Sequence, residues 1–152
     1  MTLPDIHSLV PHSGAMSLLD TLLAADAETL DAQVTIGPDS MFCVGGEVGA
    51  WVGVEYMAQA VAAHAGFEAQ QRGEPVRVGF LLGTRRYTCT RSAFAAGSIL
   101  NIHVQRALRG DNGLGAFDCR ITDGLDGAEL ASATITVFQP DHVEEFLQRS
   151  SE

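Results

Sequence analysis

The sequence predicts an α+β fold in which one long central helix is wrapped by a strongly curved antiparallel sheet. Two observations carry this. Trp51 to Gly66, WVGVEYMAQAVAAHAG, is a run of small and apolar residues interrupted only by Glu55, Gln59 and His64, and a helix that is apolar on nearly all sides must be enclosed on most of them. Beyond Gly73 the chain turns into strand-like runs separated by Gly- and Asp-rich turn signals. Consecutive strands with short connections make an antiparallel meander, and a sheet curving round the helix accommodates both halves.

The elements follow in order. Ser17 to Ala25, SLLDTLLAA, suits helix or strand by composition, and propensity leans towards helix. Ala32 to Ile36 alternates and is closed by Gly37-Pro38, as a strand and turn would be. The long helix is expected from Gly49 or Ala50 to about Arg72, with Gly73 as its stop. Strands are expected at Val76 to Leu82, Ser98 to Arg109, Leu114 to Thr122 and Ala128 to Phe138. Gly83, Gly97, Gly110 to Gly113 and Asp123 to Gly127 are the turns between them.

The 152 residues form a single domain, 1–152, large enough to bury a core without staples. Hydrophobic residues make up 46% and charged residues 18% of the chain, a balance that favours hiding apolar area in an oligomer interface. A formal charge of −10 argues against nucleic acid, whose binding depends on Lys and Arg neutralising phosphates. Cys43, Cys89 and Cys119 are odd in number and lack CxxC spacing, which suits reduced thiols. No signal peptide opens the sequence and no apolar run reaches the roughly 18 residues of a membrane span. A soluble, cytoplasmic protein is expected. No metal-ligand spacing, P-loop, dinucleotide fingerprint or GxSxG elbow is present.

Glu55 is the residue that needs explaining, because carboxylates are seldom buried without a partner. Gln59 lies four residues on, on the same helical face. By spacing alone, Gln59 merely satisfies a structural Glu55. Arg85, Arg86 and Arg91 are the densest positive cluster, either a solvated strand end or a dock for a phosphate or an acidic partner. His64 follows Glu55 by nine residues and faces elsewhere, in packing or an interface. His103 and His142 are expected at the surface, and His7 is assigned nothing.

Several motifs together resemble the hot-dog-fold 3-hydroxyacyl-(acyl-carrier-protein) dehydratases. Leu9-Val10-Pro11-His12 with Met16-Ser17-Leu18-Leu19-Asp20 is similar to that family's opening. Gly53-Val54-Glu55-Tyr56-Met57-Ala58-Gln59 is similar to the start of its central helix. Gly79-Phe80-Leu81-Leu82-Gly83 and Gly97-Ser98-Ile99-Leu100 resemble its strand pair. Within the family, Gly45-Gly46-Glu47, Ala50-Trp51-Val52-Gly53 and the run from Phe80 to Tyr87 are most similar to the subgroup encoded with aryl-polyene pigment clusters. The resemblance implies a hot-dog fold, a dimer of identical or different hot-dog subunits, and an acyl carrier protein as partner. It implies no cofactor beyond the phosphopantetheine that carries the substrate.

Dehydrating a 3-hydroxyacyl thioester requires a base for the C2 proton, an acid for the departing C3 hydroxyl and donors for the charge on the thioester oxygen. Desolvation favours the neutral form of a carboxylic acid, so Glu55 suits the acid. N–H groups of the first helical turn, from Gly49 through Ala50 and Trp51 to Val52, suit the oxyanion donors. Gln59 is expected beside Glu55 in binding the substrate, and Arg85 and Arg86 would meet the phosphate or the carrier protein. The family's base is a His in a Gly-His-Phe-Pro loop before the helix, but the corresponding Ser40 to Gly46 contains no His. Two sources remain for the base: His12 in the opening motif, or a His from a partner protomer, in which case this chain is the partner subunit of a heterodimer. Thioester hydrolysis on the same fold is the enzymatic alternative.

Overall fold

The computed structural model describes residues 3–9, 17–74, 80–110 and 113–138, with the side chains of 80–82 excepted. Val10, Pro11, His12 and Met16 of the opening motif, Val76 to Gly79, Asp111, Asn112 and His142 lie outside the described residues.

A 3-10 turn at Ile6–Ser8 precedes β1 (Thr21–Ala25) and β2 (Thr29–Thr35). Two short strands, β3 (Cys43–Val44) and β4 (Glu47–Gly49), lead through a 3-10 turn at Ala50–Val52 into α1 (Gly53–Gln71). Then come β5 (Phe80–Cys89), β6 (Ala93–Ala95), β7 (Ile99–Arg109), β8 (Leu114–Asp123) and β9 (Glu129–Phe138). Every pairing is antiparallel, and the large sheet has the order β1-β2-β7-β8-β9-β5. β3, β4 and β6 form a small second sheet.

The helix is enclosed as its composition requires, and from Gly53 to Ala69 none of its residues is exposed. Its inner side, with Tyr56, Met57, Ala60 and Phe67, meets alternate residues of the sheet: Leu30, Ala32 and Val34 of β2, Leu100, Ile102 and Val104 of β7, and Ile121 of β8. Small residues allow the close approach. A Cβ on Gly66 would overlap the Leu9 carbonyl, and one on Gly53 would overlap the Tyr87 hydroxyl. Gly73, at φ 69°, ends the helix in the left-handed conformation that glycine adopts without cost.

Three expectations need correction. Ser17 to Ala25 is not helix: Thr21–Ala25 is an edge strand whose register shifts between Leu22 and Ala24. Pairing with β2 and burial of Leu22 override a weak helical propensity. The strand placed at Val76 to Leu82 is described only from Phe80 and runs on to Cys89, with Gly83 at an irregularity in the pairing instead of in a turn. Finally, the meander holds only for β7, β8 and β9, because β5 pairs with β9 at the far end of the sheet.

Candidate active site

The start of the central helix is built from three directions. The loop before it closes with Gly45 and Gly46, both at positive φ, as the two-residue turn of the β3–β4 hairpin demands. These two glycines are the whole of the turn between Val44 and Glu47. β4 then pairs with β6, and the Ala50 N–H donates to the Ser92 carbonyl at 2.9 Å. From β5, the Tyr87 hydroxyl donates to the Ala50 carbonyl at 2.5 Å. Burial pushes the Tyr87 phenol above its ordinary range, keeping it a neutral donor.

Gly49, Ala50, Trp51 and Val52, the expected oxyanion donors, lie where β4 runs into the helix. The first turn is 3-10, with the Gly53 N–H returning to the Ala50 carbonyl. The Ala50 amide is committed to Ser92, and the amides of Trp51 and Val52 precede the first bonded N–H of the turn, so neither has an acceptor within it. Trp51 is 66% exposed and its ring meets Phe42 edge-on at 5.4 Å. Phe42, at φ 70°, and Val44 are also exposed, so an apolar patch flanks the helix start. Sequence reasoning missed both this aromatic pair and the Tyr87 clasp. The pairing of Phe42 with Trp51 left no periodic signal, because a hairpin separates them.

Glu55 and Gln59 do share a face. Gln59 is 1% exposed, donates from Nε2 to Glu55 Oε1 at 3.1 Å, and accepts the Leu18 N–H on Oε1 at 2.8 Å. The amide thus ties the second half of the opening motif to the acid on the helix. Glu55 itself is half-buried, less enclosed than an all-round apolar helix suggested. Tyr56, next to it, is buried, and that burial, with Asp20 and Cys43 nearby, pushes its phenol up to about 12. At neutral pH Tyr56 carries its proton and is no base.

The remaining candidates lie apart. Arg85 and Arg86 are exposed on β5, Arg86 at φ 57° within an irregular stretch of pairing between Arg85 and Thr88. His64 is fully buried about two and a half helical turns beyond Glu55, with Nε2 3.0 Å from the Asp26 carbonyl and its ring edge-on to Phe117. His103 is half-buried, not a plain surface residue, and its Nδ1 lies 2.7 Å from Asp31 Oδ1 on the neighbouring strand. His7 reaches the Ser17 hydroxyl at 2.7 Å. The three cysteines are free, and burial pushes the Cys119 thiol up to about 12. Among the described residues no helix is long and apolar enough to cross a membrane.

One long helix enclosed by a six-stranded antiparallel sheet, with an acid in the helix's first turn, defines a hot-dog-fold protein. The chain belongs to the ApeP-like family, described as ApeP dehydratase, whose model matches residues 4–148. The dehydratase heterocomplex ApeI:P from Xenorhabdus doucetiae is 26% identical, with a TM-score of 0.88, covering 99% of this chain and 100% of that one. More distant structures show the fold alone. A hypothetical thioesterase with coenzyme A from Streptococcus pneumoniae is 14% identical, with a TM-score of 0.60 over 78% of this chain and 83% of that one. Zebra fish thioesterase superfamily member 2 is also 14% identical, with a TM-score of 0.63 over 89% and 92%. No curated protein sequence matches significantly. The resemblance read from the sequence therefore holds, and the function is dehydratase-like, of the aryl-polyene type.

Proposed function

We propose that this chain is one subunit of a dehydratase acting on 3-hydroxyacyl groups held as thioesters on the phosphopantetheine of an acyl carrier protein in the cytoplasm. Glu55 is the general acid, and a His of a second hot-dog subunit is the general base. The observation that carries this reading is the Leu18–Gln59–Glu55 chain of hydrogen bonds beside a loop, Ser40 to Gly46, that has no His. Gln59 orients a carboxyl group at the helix start while the chain's own loop offers no base. The related Xenorhabdus structure is a complex of two different proteins, which supports a division of the site between subunits.

The base takes the C2 proton, negative charge moves onto the thioester oxygen near the Trp51 amide, and Glu55 protonates the C3 hydroxyl, which leaves as water. The C2–C3 double bond forms as the C3–O bond breaks. The exposed apolar pair Phe42 and Trp51 lies at the helix start, where a second subunit or the acyl chain would be met. Arg85 and Arg86, being exposed, remain available to an acidic carrier protein.

The test is dehydration of a 3-hydroxyacyl carrier protein by this chain alone and with a second hot-dog subunit. Restoration of turnover by the mixture, with Glu55→Gln in this chain reducing it by roughly 10²-fold or more, is expected. Robust activity alone that disappears in His12→Ala assigns the base to His12 instead. Release of thiol from a saturated acyl thioester, without enoyl product from the 3-hydroxyacyl substrate, identifies a thioesterase and overturns the proposal.

A further inference from the structure

A cleft of about 340 Å³ opens at the C-terminal half of α1, between the helix and strands β7 to β9. It lies away from Glu55: His64 follows that residue by nine positions, about 13 Å along the axis and on the opposite face. Three arginines that the sequence scatters, Arg72, Arg106 and Arg109, converge on it. Their surroundings assign them different tasks. Arg106 is only 13% exposed and its guanidinium pairs with Glu68 Oε1, so those two charges cancel within the wall. Arg72, 51% exposed, stands 3.8 Å from the other Glu68 oxygen, and Arg109 is exposed. With Glu68 already matched by Arg106, the rim retains an excess of about two positive charges on a chain whose formal charge is −10.

The rest of the wall is apolar. Phe117, under the Arg106 guanidinium at 5.7 Å, and Val137 form the floor, and Leu108, 59% exposed, stands at the mouth. The register of β7 against β8 shifts between Arg106 and Leu108, just where the strand delivers Arg106, Leu108 and Arg109 to the same cleft. In a regular strand Arg109 would point to the face opposite Arg106 and Leu108. Such irregularities commonly re-aim side chains beside a site.

We propose that this cleft is a binding site for a small amphipathic carboxylate, its head on Arg72 and Arg109 and its hydrocarbon body against Leu108, Phe117 and Val137. Guanidinium groups match the planar carboxylate with paired N–H donors. The apolar floor of Phe117 and Val137 favours an anion that carries a hydrocarbon body over a fully hydrated one such as phosphate. A volume of several hundred cubic ångströms suits a small molecule and exceeds what a lone ion needs. The site is independent of the dehydratase reading, because it takes a free acid, where that reaction takes a thioester at the opposite face.

The probe is octanoate, titrated by calorimetry into the full chain, beside octanamide, acetate and inorganic phosphate. Saturable octanoate binding is expected, at least 10-fold tighter than that of octanamide, which lacks the charge, or of acetate, which lacks the body. Arg72→Gln/Arg109→Gln should weaken octanoate at least 10-fold with an unchanged melting temperature, since both side chains lie at the rim. Glu55→Gln should bind as the wild type does. Octanoate affinity unaltered in the double variant, octanamide or acetate binding as well as octanoate, or phosphate binding more tightly than octanoate would each overturn the proposal.

Discussion

His64 joins the helix to two neighbouring elements through one ring. Its Nε2–H donates to the Asp26 carbonyl of the β1–β2 turn, and Nδ1 lies 3.3 Å from Glu68 Oε1 without a hydrogen bond. Arg106 of β7 holds that carboxylate, and Phe117 of β8 covers the ring. Burial pulls the imidazole below its usual range, Glu68 opposes this and Arg106 reinforces it, so the folded protein keeps His64 neutral. The unfolded chain takes up a proton below about pH 6.5 that the folded one refuses. Stability is therefore complete above that pH and declines as pH falls through it, by at most roughly 1.4 kcal/mol per pH unit from this one group. Urea denaturation between pH 7.5 and 5 checks this: His64→Leu should flatten the decline, and an equal slope in both proteins would show that His64 is not its source. The sequence indicated only that His64 faces away from Glu55. Its partners come from residues 26, 106 and 117, which no local pattern links to it.

Among the elements, α1 was readable because the same small apolar residues recur along its whole length, and nothing else in the chain competes for that pattern. Its C-terminal stop at Gly73 was legible for the same reason. β1 was misread because five residues of Thr, Leu and Ala carry no preference strong enough to decide between helix and strand, and only β2 decides it. Gly66 shows how the helix is held to the N-terminal segment. With a Cβ overlapping the Leu9 carbonyl, Gly66→Ala forces either the helix or the Ile6–Ser8 turn to move. A loss of roughly 1–3 kcal/mol is expected from such overpacking. Hydrogen exchange should show faster exchange in the backbone of Ser8 and Leu9, whose amides donate to Asp5 and Ile6. Unchanged exchange there, with an unchanged melting temperature, would show that the contact bears no strain.

At the scale of the whole molecule the sheet has two edges, β1 and β5, and antiparallel edges are usually paired or covered. Of the helix residues that are only half-buried, Ala65 and Glu68 line the cleft, whereas Val54, Glu55, Ala58 and Ala62 form a stripe on one side of the first half of α1. We propose that a second subunit covers this stripe, helix beside helix, and that the Phe42–Trp51 patch extends the same interface. Light scattering at micromolar concentration should give a dimer, of identical chains alone or of this chain with a second hot-dog protein when both are present. A stable monomer under both conditions would refute it.

By itself the sequence determined the long helix, the strand-rich second half and the membership of the dehydratase family, because these rest on periodicity and on motifs of neighbouring residues. It also brought Glu55 and Gln59 together, since a four-residue spacing is a contact on any helix. Only the tertiary structure decided that Leu18 closes the Gln59 link, that Tyr87 clasps the helix start, and that β5 crosses to the far side of β9. It alone decided that the arginines sharing a cleft are 72, 106 and 109, while 85 and 86 stay on an exposed strand. The physical reason is range: helix and strand periods set which neighbours share a face. Contacts across the sheet and between sheet and helix depend on strand order, bulges and the close approaches that glycines permit.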